Sequence, residues 1–168
     1  MTTQSSPSPA SPGEGSSVAD LSGGTSSGGA TGPAGGRRRV PSATPWGEAF
    51  GSSLAVEANG MVLVSGCVSY VDGGVHGEGD PYLQTKTAFG LGLDALREFG
   101  LGAQDVVRTR MHLTHVRDVD AVARAHRELF HAVRPTSSVV IVSGFADSRV
   151  LVEIEMDAVK RTEAGEQA

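Results

Sequence analysis

The sequence predicts an α+β fold, in which one sheet carries both of its helices on a single face. The first observation is a strand pair at residues 53–70, where two strand-like runs flank an Asn-Gly turn. The second is a pair of apolar stretches at helical spacing, at residues 81–99 and 119–132. Alternating or β-branched runs predict further strands at residues 106–114, 137–142 and 150–159. The order ββαβαββ, with strands grouped around only two helices, is typical of an α+β sheet.

The first two strands are joined by the Asn-Gly pair at residues 59–60, because both residue types tolerate positive φ. The run before the turn, at residues 53–57, alternates like a half-buried strand. The run after it is apolar and β-branched, and it ends in a serine, a glycine and a cysteine. Since side chains two residues apart point to the same side of a strand, we expect Ser65 and Cys67 to share a face.

The two helices have recognisable starts and apolar stripes. The first begins at an Asp-Pro pair, which supplies an N-cap and a proline at the first helical position, and we expect it to run from about Pro81 to Phe99. Gly90 and Gly92 are unfavourable inside a helix, so they indicate close packing against the sheet. The second helix, at about residues 119–132, has an apolar stripe on one side and ends before a proline.

Two of the later strands have one apolar and one polar face. In the strand at 106–114 the apolar face is predicted to hold Val107, Thr109, Met111 and Leu113, and the polar face Arg108, Arg110, His112 and Thr114. In the last strand the apolar face is predicted to hold Val150, Val152, Ile154 and Met156. The other face is predicted to hold Leu151, Glu153, Glu155 and Asp157. The run at 137–142 is predicted to be a core strand. The polar face is too mixed for a simple solvent face, and self-association would account for it.

The composition divides the chain unevenly. Gly, Ser, Pro, Thr and Ala crowd the first 36 residues, which therefore cannot bury enough apolar surface to fold. The predicted organisation is a disordered tail at residues 1–40, a folded domain at residues 41–160 and a polar tail at residues 161–168. Prolines predict an extended entry segment at residues 40–46. Trp46 and Phe50 are expected to pin this segment onto the domain.

Charge and cysteine content limit the possible functions. A net charge of −5 argues against general nucleic-acid binding, which depends on Lys and Arg. The sequence has no apolar run long enough to span a bilayer and no signal-peptide pattern, so we expect no membrane partner and a cytoplasmic location. A single cysteine, Cys67, excludes an internal disulfide and a zinc site built on several thiolates. The scattered histidines lack metal-site spacing, so no metal is expected.

Several short motifs resemble one family in their order and spacing: Val62–Gly66, Gln84-Thr85, Asp105–Val107, Pro135 before a strand, and Val152–Glu155. Over residues 44–160 the chain resembles the Rid/YjgF family of imine deaminases. The resemblance implies a chorismate-mutase-like fold, a homotrimer, and sites in the clefts between subunits. It also implies hydrolysis of reactive imines and enamines to a keto acid and ammonia, with no metal or organic cofactor.

Part of the family's site is retained. The strand-end serine and glycine fall on Ser65 and Gly66, and the glutamate that orients the attacking water falls on Glu153. The strand backbone near Ser138 is expected to support the developing negative charge. The resemblance therefore makes Glu153 the candidate catalytic residue and Ser65, Gly66 and Ser138 candidate substrate-binding residues.

Two binding side chains of the family are replaced. The arginine that grips a substrate carboxylate is replaced by Ser137, and the tyrosine of the entry segment is replaced by Ser52, next to Phe50 and Gly51. Loss of a bidentate arginine removes about 2–4 kcal/mol of binding, so amino-acid-derived imines are expected to be poor substrates. Phe50, Ser52 and Ser137 stay candidate substrate-binding residues for a larger or uncharged molecule.

Glu153 and Cys67 each have two interpretations. Partial burial and the like charge of Glu155 are expected to raise the pKa of Glu153, which suits general acid/base chemistry. The alternative is a salt bridge from Glu153 to Arg110 or Arg149.

Cys67 is either a nucleophile activated by His112, itself a candidate substrate-binding residue, or a small buried hydrophobic side chain beside a structural histidine.

The leading hypothesis is an enzyme that acts on an imine or enamine intermediate, by hydrolysis or a related reaction of a biosynthetic or secondary-metabolic pathway. The alternative is a non-catalytic trimer that binds a metabolite or a protein, which the two serine replacements favour. A ribonuclease activity fits poorly with an acidic chain.

Overall fold

The computed structural model describes residues 36–42 and 44–161. Its elements in chain order are β1 (Arg39–Pro41), α1 (Pro45–Phe50), β2 (Ser53–Ala58), β3 (Met61–Val68), β4 (Tyr70–Val71), β5 (Gly74–Val75), α2 (Pro81–Arg97), β6 (Val106–Leu113), α3 (Val119–Phe130), β7 (Thr136–Ile141) and β8 (Val152–Val159). Short 3₁₀ turns at Ala103–Asp105 and Val116–Asp118 precede β6 and α3. The α+β prediction is confirmed.

Six strands form one sheet in the order β1-β2-β3-β8-β6-β7. Neighbouring strands are antiparallel except β6 and β7, which are parallel and are linked by the crossover through α3. The small β4-β5 hairpin forms a separate two-stranded sheet. Helix α2 packs on β3 and β8, and α3 packs on α2, so one face of the sheet is covered by helices.

The predicted hairpin of β2 and β3 is present. Asn59 and Gly60 form its turn with φ values of 53° and 76°, and Ala58 pairs with Met61. Both turn residues are in the left-handed region, which asparagine and glycine tolerate best. The Asn-Gly pair therefore fixes the register of β3, the strand that carries Ser65 and Gly66.

The entry segment differs from its prediction. Residues 45–50 form helix α1, which begins where the Thr44 hydroxyl accepts a hydrogen bond from the Gly47 amide at 3.3 Å. Trp46 and Phe50 stack on each other with their ring centroids 6.1 Å apart, and they are 57% and 76% exposed. The expectation that they pin the segment onto the domain is therefore wrong for the chain by itself.

The boundary of the predicted tail also needs correction. Arg39 and Val40 belong to β1 and pair with Val56 and Ala55, so these two residues join the sheet. Residues 1–35 and 162–168, which hold most of the two predicted tails, lie outside the described residues.

Helix α2 begins as predicted, because the Asp80 carboxylate accepts a hydrogen bond from the Leu83 amide at 3.0 Å. Of the two helix glycines only Gly92 packs tightly: a Cβ there would overlap the terminal methyl of Met156 on β8. A Cβ at Gly90 would meet open space. A side chain at position 92 would therefore have to displace the Met156 methyl group, whereas one at position 90 would displace nothing.

Gln84, near the start of α2, is fully buried and ties two loops to the helix. Its amide nitrogen donates to the carbonyls of Gly77 and Arg149, at 3.2 and 2.9 Å. Its amide oxygen accepts from the Leu151 amide at 2.8 Å. These three hydrogen bonds set the position of the chain that leads into β8.

Two strand predictions need correction. In β6 the register shifts between Val106 and Arg108, so Val106 is buried and Val107 is 44% exposed instead of facing the core. The predicted core strand at 137–142 is the edge strand β7, and Val139, Val140 and Ile141 are each nearly half exposed. An edge strand has one unpaired row of backbone groups, which makes it a site for pairing with another chain.

Within the described residues, none of the helices has the length and apolar character needed to cross a membrane.

Candidate functional site

The carboxyl group of Glu153 lies against the backbone of Gly66. These residues come from the neighbouring strands β8 and β3. A Cβ built at Gly66 would lie 2.6 Å from the carboxyl carbon of Glu153 and 2.7 Å from its Oε2 atom. Real Cβ atoms do not approach that closely, so the glycine makes room for the carboxylate.

A bulge in β3 produces this arrangement. Val64 pairs with Met156 and Cys67 with Ile154, so three steps along β3 match two along β8. The extra residue leaves Ser65 and Gly66 exposed, while Val64 and Cys67 both face the helices. Bulges of this kind redirect side chains and often lie next to functional sites.

Burial raises the pKa of Glu153, and the negative charge of Glu155 raises it further. The nearby His112 acts in the opposite direction and lowers it. The net shift is upward, as expected from the sequence. A carboxyl group with a raised pKa is a better proton acceptor and donor near neutral pH than an ordinary glutamate.

His112, on the adjacent strand β6, pairs in register with Glu153. Its Nδ1 atom lies 3.6 Å from Glu153 Oε1, which is too long for a hydrogen bond. The same Nδ1 atom is buried and has no hydrogen-bond partner among the described residues. The Nδ1 atom of His112 is therefore a polar atom beside the Glu153 carboxyl group that is not used within the described residues of one chain.

Other charges on this sheet face are already paired. Arg110 forms an ion pair with Glu155, and Arg108 donates to Asp157 at 2.6 Å. Arg149 pairs with Asp147. Neither arginine proposed as the salt-bridge partner of Glu153 therefore fills that role, and among the described residues only His112 lies within ion-pair distance of Glu153.

Cys67 is on the opposite side of the sheet. The bulge turns its side chain toward α2, where it is 4% exposed, and its thiol donates to the Ser65 carbonyl at 3.4 Å. Burial, and to a smaller extent Glu153, raises the pKa of Cys67 to about 12. The expectation that Ser65 and Cys67 share a face is wrong. His112 faces Glu153 instead of activating the thiol, and this geometry agrees with the interpretation of Cys67 as a small buried hydrophobic residue.

Phe50 and Ser52 lie at the connection between α1 and β2 and are both exposed. The Ser52 amide donates to the Gly47 carbonyl at 2.8 Å, which closes the end of α1. Neither side chain has a described hydrogen bond to Glu153, His112 or Gly66. The structure thus brings Gly66, His112 and Glu153 together, with Ser65 beside Gly66 on β3.

Ser137 and Ser138 lie on opposite faces of β7. Ser138 pairs with Arg110 and shares the face of His112 and Glu153. Ser137 pairs with Thr109 and accepts a hydrogen bond from its hydroxyl at 3.1 Å. Ser137 therefore faces the helix side, and within one chain it does not meet Glu153.

A hydrogen-bonded pair that was not predicted from the sequence, Thr109 and His126, lies behind Ser137. The hydroxyl of Thr109 also lies 2.9 Å from Nε2 of His126 on α3, and Thr109 is fully buried. The available signal was a threonine on the apolar face of β6 together with a histidine next to the apolar stripe of α3. Among the described residues, no three His, Cys, Asp or Glu side chains converge as metal ligands would.

The fold is an α+β sheet with helices on one face, and the candidate site is a bulged strand beside a glutamate. Both features agree with the class of protein that the sequence resembles. The family model described as Endoribonuclease L-PSP matches residues 46–160. The chain belongs to this family, the Rid/YjgF family, which confirms the resemblance found in the sequence.

Individual proteins agree with this assignment. An uncharacterized protein of Streptomyces coelicolor is 54% identical over 121 residues, which cover 72% of this chain and 90% of that one. The crystal structure of Rv2704 from Mycobacterium tuberculosis, a member of the YjgF/YER057c/UK114 family, is similar with 33% identity and a TM-score of 0.67, covering 74% of this chain and 99% of that one. YyfA of Yersinia pestis, a Rid family protein, has the same fold at 23% identity and a TM-score of 0.65, covering 74% and 99%.

Proposed function

We propose that this protein is a Rid-type hydrolase that deaminates an imine or enamine, with Glu153 as general acid and base. The observation that supports it best is the Glu153 carboxyl group, which lies against Gly66 with a raised pKa and without an arginine partner among the described residues. A carboxylate committed to stability would be paired like Glu155 and Asp157 on the same face.

The chemistry needs only water and a group that moves protons. Glu153 accepts a proton from a water molecule as the oxygen bonds to the imine carbon, and it returns that proton to the nitrogen. Glu153 then takes the hydroxyl proton of the resulting carbinolamine and delivers it to the amine as the carbon–nitrogen bond breaks. The products are a carbonyl compound and ammonia, with no net change in protons on the protein. An enamine enters the same path after tautomerising to the imine.

The substrate of this reaction is proposed to lack a carboxylate next to the imine. Ser137 occupies the position that the family resemblance assigns to the carboxylate-binding arginine, and it presents one neutral hydroxyl. The arginines on the face of Glu153 are held by Glu155 and Asp157. A neutral or larger intermediate of a dedicated biosynthetic pathway fits this arrangement better than a simple imino acid.

The site is proposed to be completed by other copies of the chain in a homotrimer. Strand β7 has an unpaired edge with half-exposed valine and isoleucine side chains. Ser137 and Glu153 lie on opposite faces of the sheet in one chain, so they can line one cleft only if they come from different copies. A monomeric mass in sedimentation would overturn this assembly.

Ammonia release tests the proposal. Wild type, Glu153→Gln and the matched control Glu155→Gln are compared on 2-aminoacrylate and on imines without a carboxylate, each generated in solution. Glu153→Gln is expected to slow turnover by about 10²- to 10⁴-fold, while Glu155→Gln keeps most of it. Unchanged turnover of every imine by Glu153→Gln would overturn the catalytic assignment. Equal rates on 2-aminoacrylate and the neutral imines would overturn the substrate class.

The second candidate is a non-catalytic protein of the same fold that binds a metabolite or a protein partner. The observation in its favour is the replacement of two family binding side chains by Ser52 and Ser137. It predicts ligand binding without ammonia release from any imine. It also predicts that Glu153→Gln changes the affinity for the ligand and does not change the rate of any reaction.

A further inference from the structure

Behind the exposed strand β7 runs a short chain of hydrogen bonds that the reaction above does not use. It links Ser137 on β7, Thr109 on β6 and His126 on α3, with oxygen–oxygen and oxygen–nitrogen distances of 3.1 and 2.9 Å. Thr109 is fully buried, His126 is half-buried between Phe89 and Phe130, and Ser137 is exposed. The chain therefore leads from the interior to the surface.

The direction of these hydrogen bonds is determined at Thr109. A threonine hydroxyl has one hydrogen, and that of Thr109 is donated to the Ser137 oxygen. The contact between Thr109 and His126 must then be donated by the histidine, so Nε2 carries a hydrogen. Burial lowers the pKa of His126, which favours the neutral ring, and the hydrogen bond to Thr109 places the single ring hydrogen on Nε2.

The direction of the hydrogen bond from Thr109 to Ser137 determines what the Ser137 hydroxyl can still bind. Its oxygen already accepts from Thr109, and no side chain or carbonyl of the described residues accepts its hydrogen. The hydrogen is free to point away from the sheet toward whatever occupies the space outside β7. Because its oxygen accepts from Thr109, the Ser137 hydroxyl has fewer orientations open to its hydrogen than a surface hydroxyl without a hydrogen bond.

We propose that Ser137 donates this hydrogen bond to an uncharged acceptor oxygen of the substrate, such as an amide or ester carbonyl, and that Thr109 and His126 are its positioning residues. The proposal rests on the proposed function, since it names the substrate group that Ser137 recognises. A neutral acceptor is favoured because one neutral donor does not offset the desolvation of a carboxylate.

Two product-like probes of equal shape test the selectivity. Pyruvamide presents an amide oxygen and pyruvate a carboxylate, and their binding to the full chain is measured by NMR titration. Wild type is expected to bind pyruvamide more tightly than pyruvate. Ser137→Ala and Thr109→Val are each expected to weaken pyruvamide by about 2- to 10-fold and to leave pyruvate unchanged. Thr109→Ser, which keeps the hydroxyl, is expected to restore the preference.

A second measurement does not depend on any ligand. The nitrogen-15 shifts of the His126 ring are expected to report a neutral ring protonated at Nε2 in the wild type, and loss of that preference in Thr109→Val. A ring protonated at Nδ1 alone, equal effects of Ser137→Ala on both probes, or binding of neither probe would each overturn the proposal. Glu153→Gln separates it from the proposed function, because that variant is expected to lose turnover and keep the preference for pyruvamide.

Discussion

The Glu153 carboxyl group fills the space in which a side chain at Gly66 would lie, 2.6 Å from the position of its Cβ atom. Gly66→Ala is therefore expected to push the carboxyl group out of place and to lower turnover by about 10²-fold with the fold retained. Turnover and circular dichroism measure the two effects. Gly90→Ala is the matched control, because a Cβ there meets open space, and it should stabilise α2 by up to about 1 kcal/mol. Full activity in Gly66→Ala would contradict the arrangement.

Because the pKa of Glu153 is raised in the folded protein, the charged form of this side chain destabilises the folded state. The unfolded chain loses this proton near pH 4.3, and the folded chain loses it at a higher pH. Between these values the folded state binds more protons, so this group's contribution to stability falls as pH rises. Glu153→Gln is expected to unfold at the same or a higher temperature than wild type at pH 7, with the difference smaller near pH 4. A lower melting temperature at pH 7 would show that the carboxylate stabilises the fold.

His126 should give the opposite pH dependence. Burial lowers its pKa in the folded state, whereas the unfolded histidine binds a proton near pH 6.5. The unfolded state therefore binds more protons at low pH, and stability is lost as pH falls through about 6.5. Urea unfolding of wild type and His126→Gln between pH 5 and 8 measures this loss, which the variant should lack. His131→Gln, at an exposed position, is the control and should behave as wild type.

Gln84, which is fully buried, holds the approach to β8 through three hydrogen bonds to backbone groups of Gly77, Arg149 and Leu151. Gln84→Leu keeps the size of the side chain and leaves those partners unsatisfied, so it is expected to reduce the free energy of unfolding by about 2–4 kcal/mol. Chemical denaturation measures the change. Gln104→Leu, at an exposed position where only one hydrogen bond to Asp105 is lost, should change it by about 1 kcal/mol or less. Similar values for the two variants would show that the buried hydrogen bonds contribute little.

The thiol of Cys67 should be unreactive in the folded protein. It is 4% exposed and its pKa is raised to about 12, so almost no thiolate is present at pH 8. Alkylation by iodoacetamide followed by mass spectrometry is expected to modify the protein in urea and to leave it unmodified under native conditions. Rapid native labelling would place the thiol back at the surface and reopen its role as a nucleophile.

The parts of the fold that the sequence predicts correctly depend on local signals. Asn59 and Gly60 place the first hairpin, and Asp80 begins α2. The errors at Val107 and Cys67 share one cause, because a bulge adds a residue to one strand and reverses the side-chain alternation beyond it. The sequence of a single strand does not show where a bulge shifts its pairing with the neighbouring strand.

In the candidate site, too, some residues are predictable from the sequence and others are not. Glu153, Gly66 and Ser65 were found because their residue types and spacing match a family motif. Thr109 and His126 were not, because a threonine on an apolar strand face and a histidine beside an apolar helix stripe do not by themselves show that the two side chains meet. The position of Ser137 on the helix face likewise depends on the pairing of β7 with β6, which only the sheet order reveals.

The position of β7 at the sheet edge also affects how the protein must be handled. Its residues Val139, Val140 and Ile141 have high β propensity and no charge, and both of their faces are partly exposed. Such an edge adds strands from any other chain that presents one, and so promotes aggregation unless it is covered. Variants that expose β7 further are expected to precipitate on concentration even when their melting temperature is unchanged. A charged residue at position 139 would then improve solubility, although it would also block ordered pairing at the same edge.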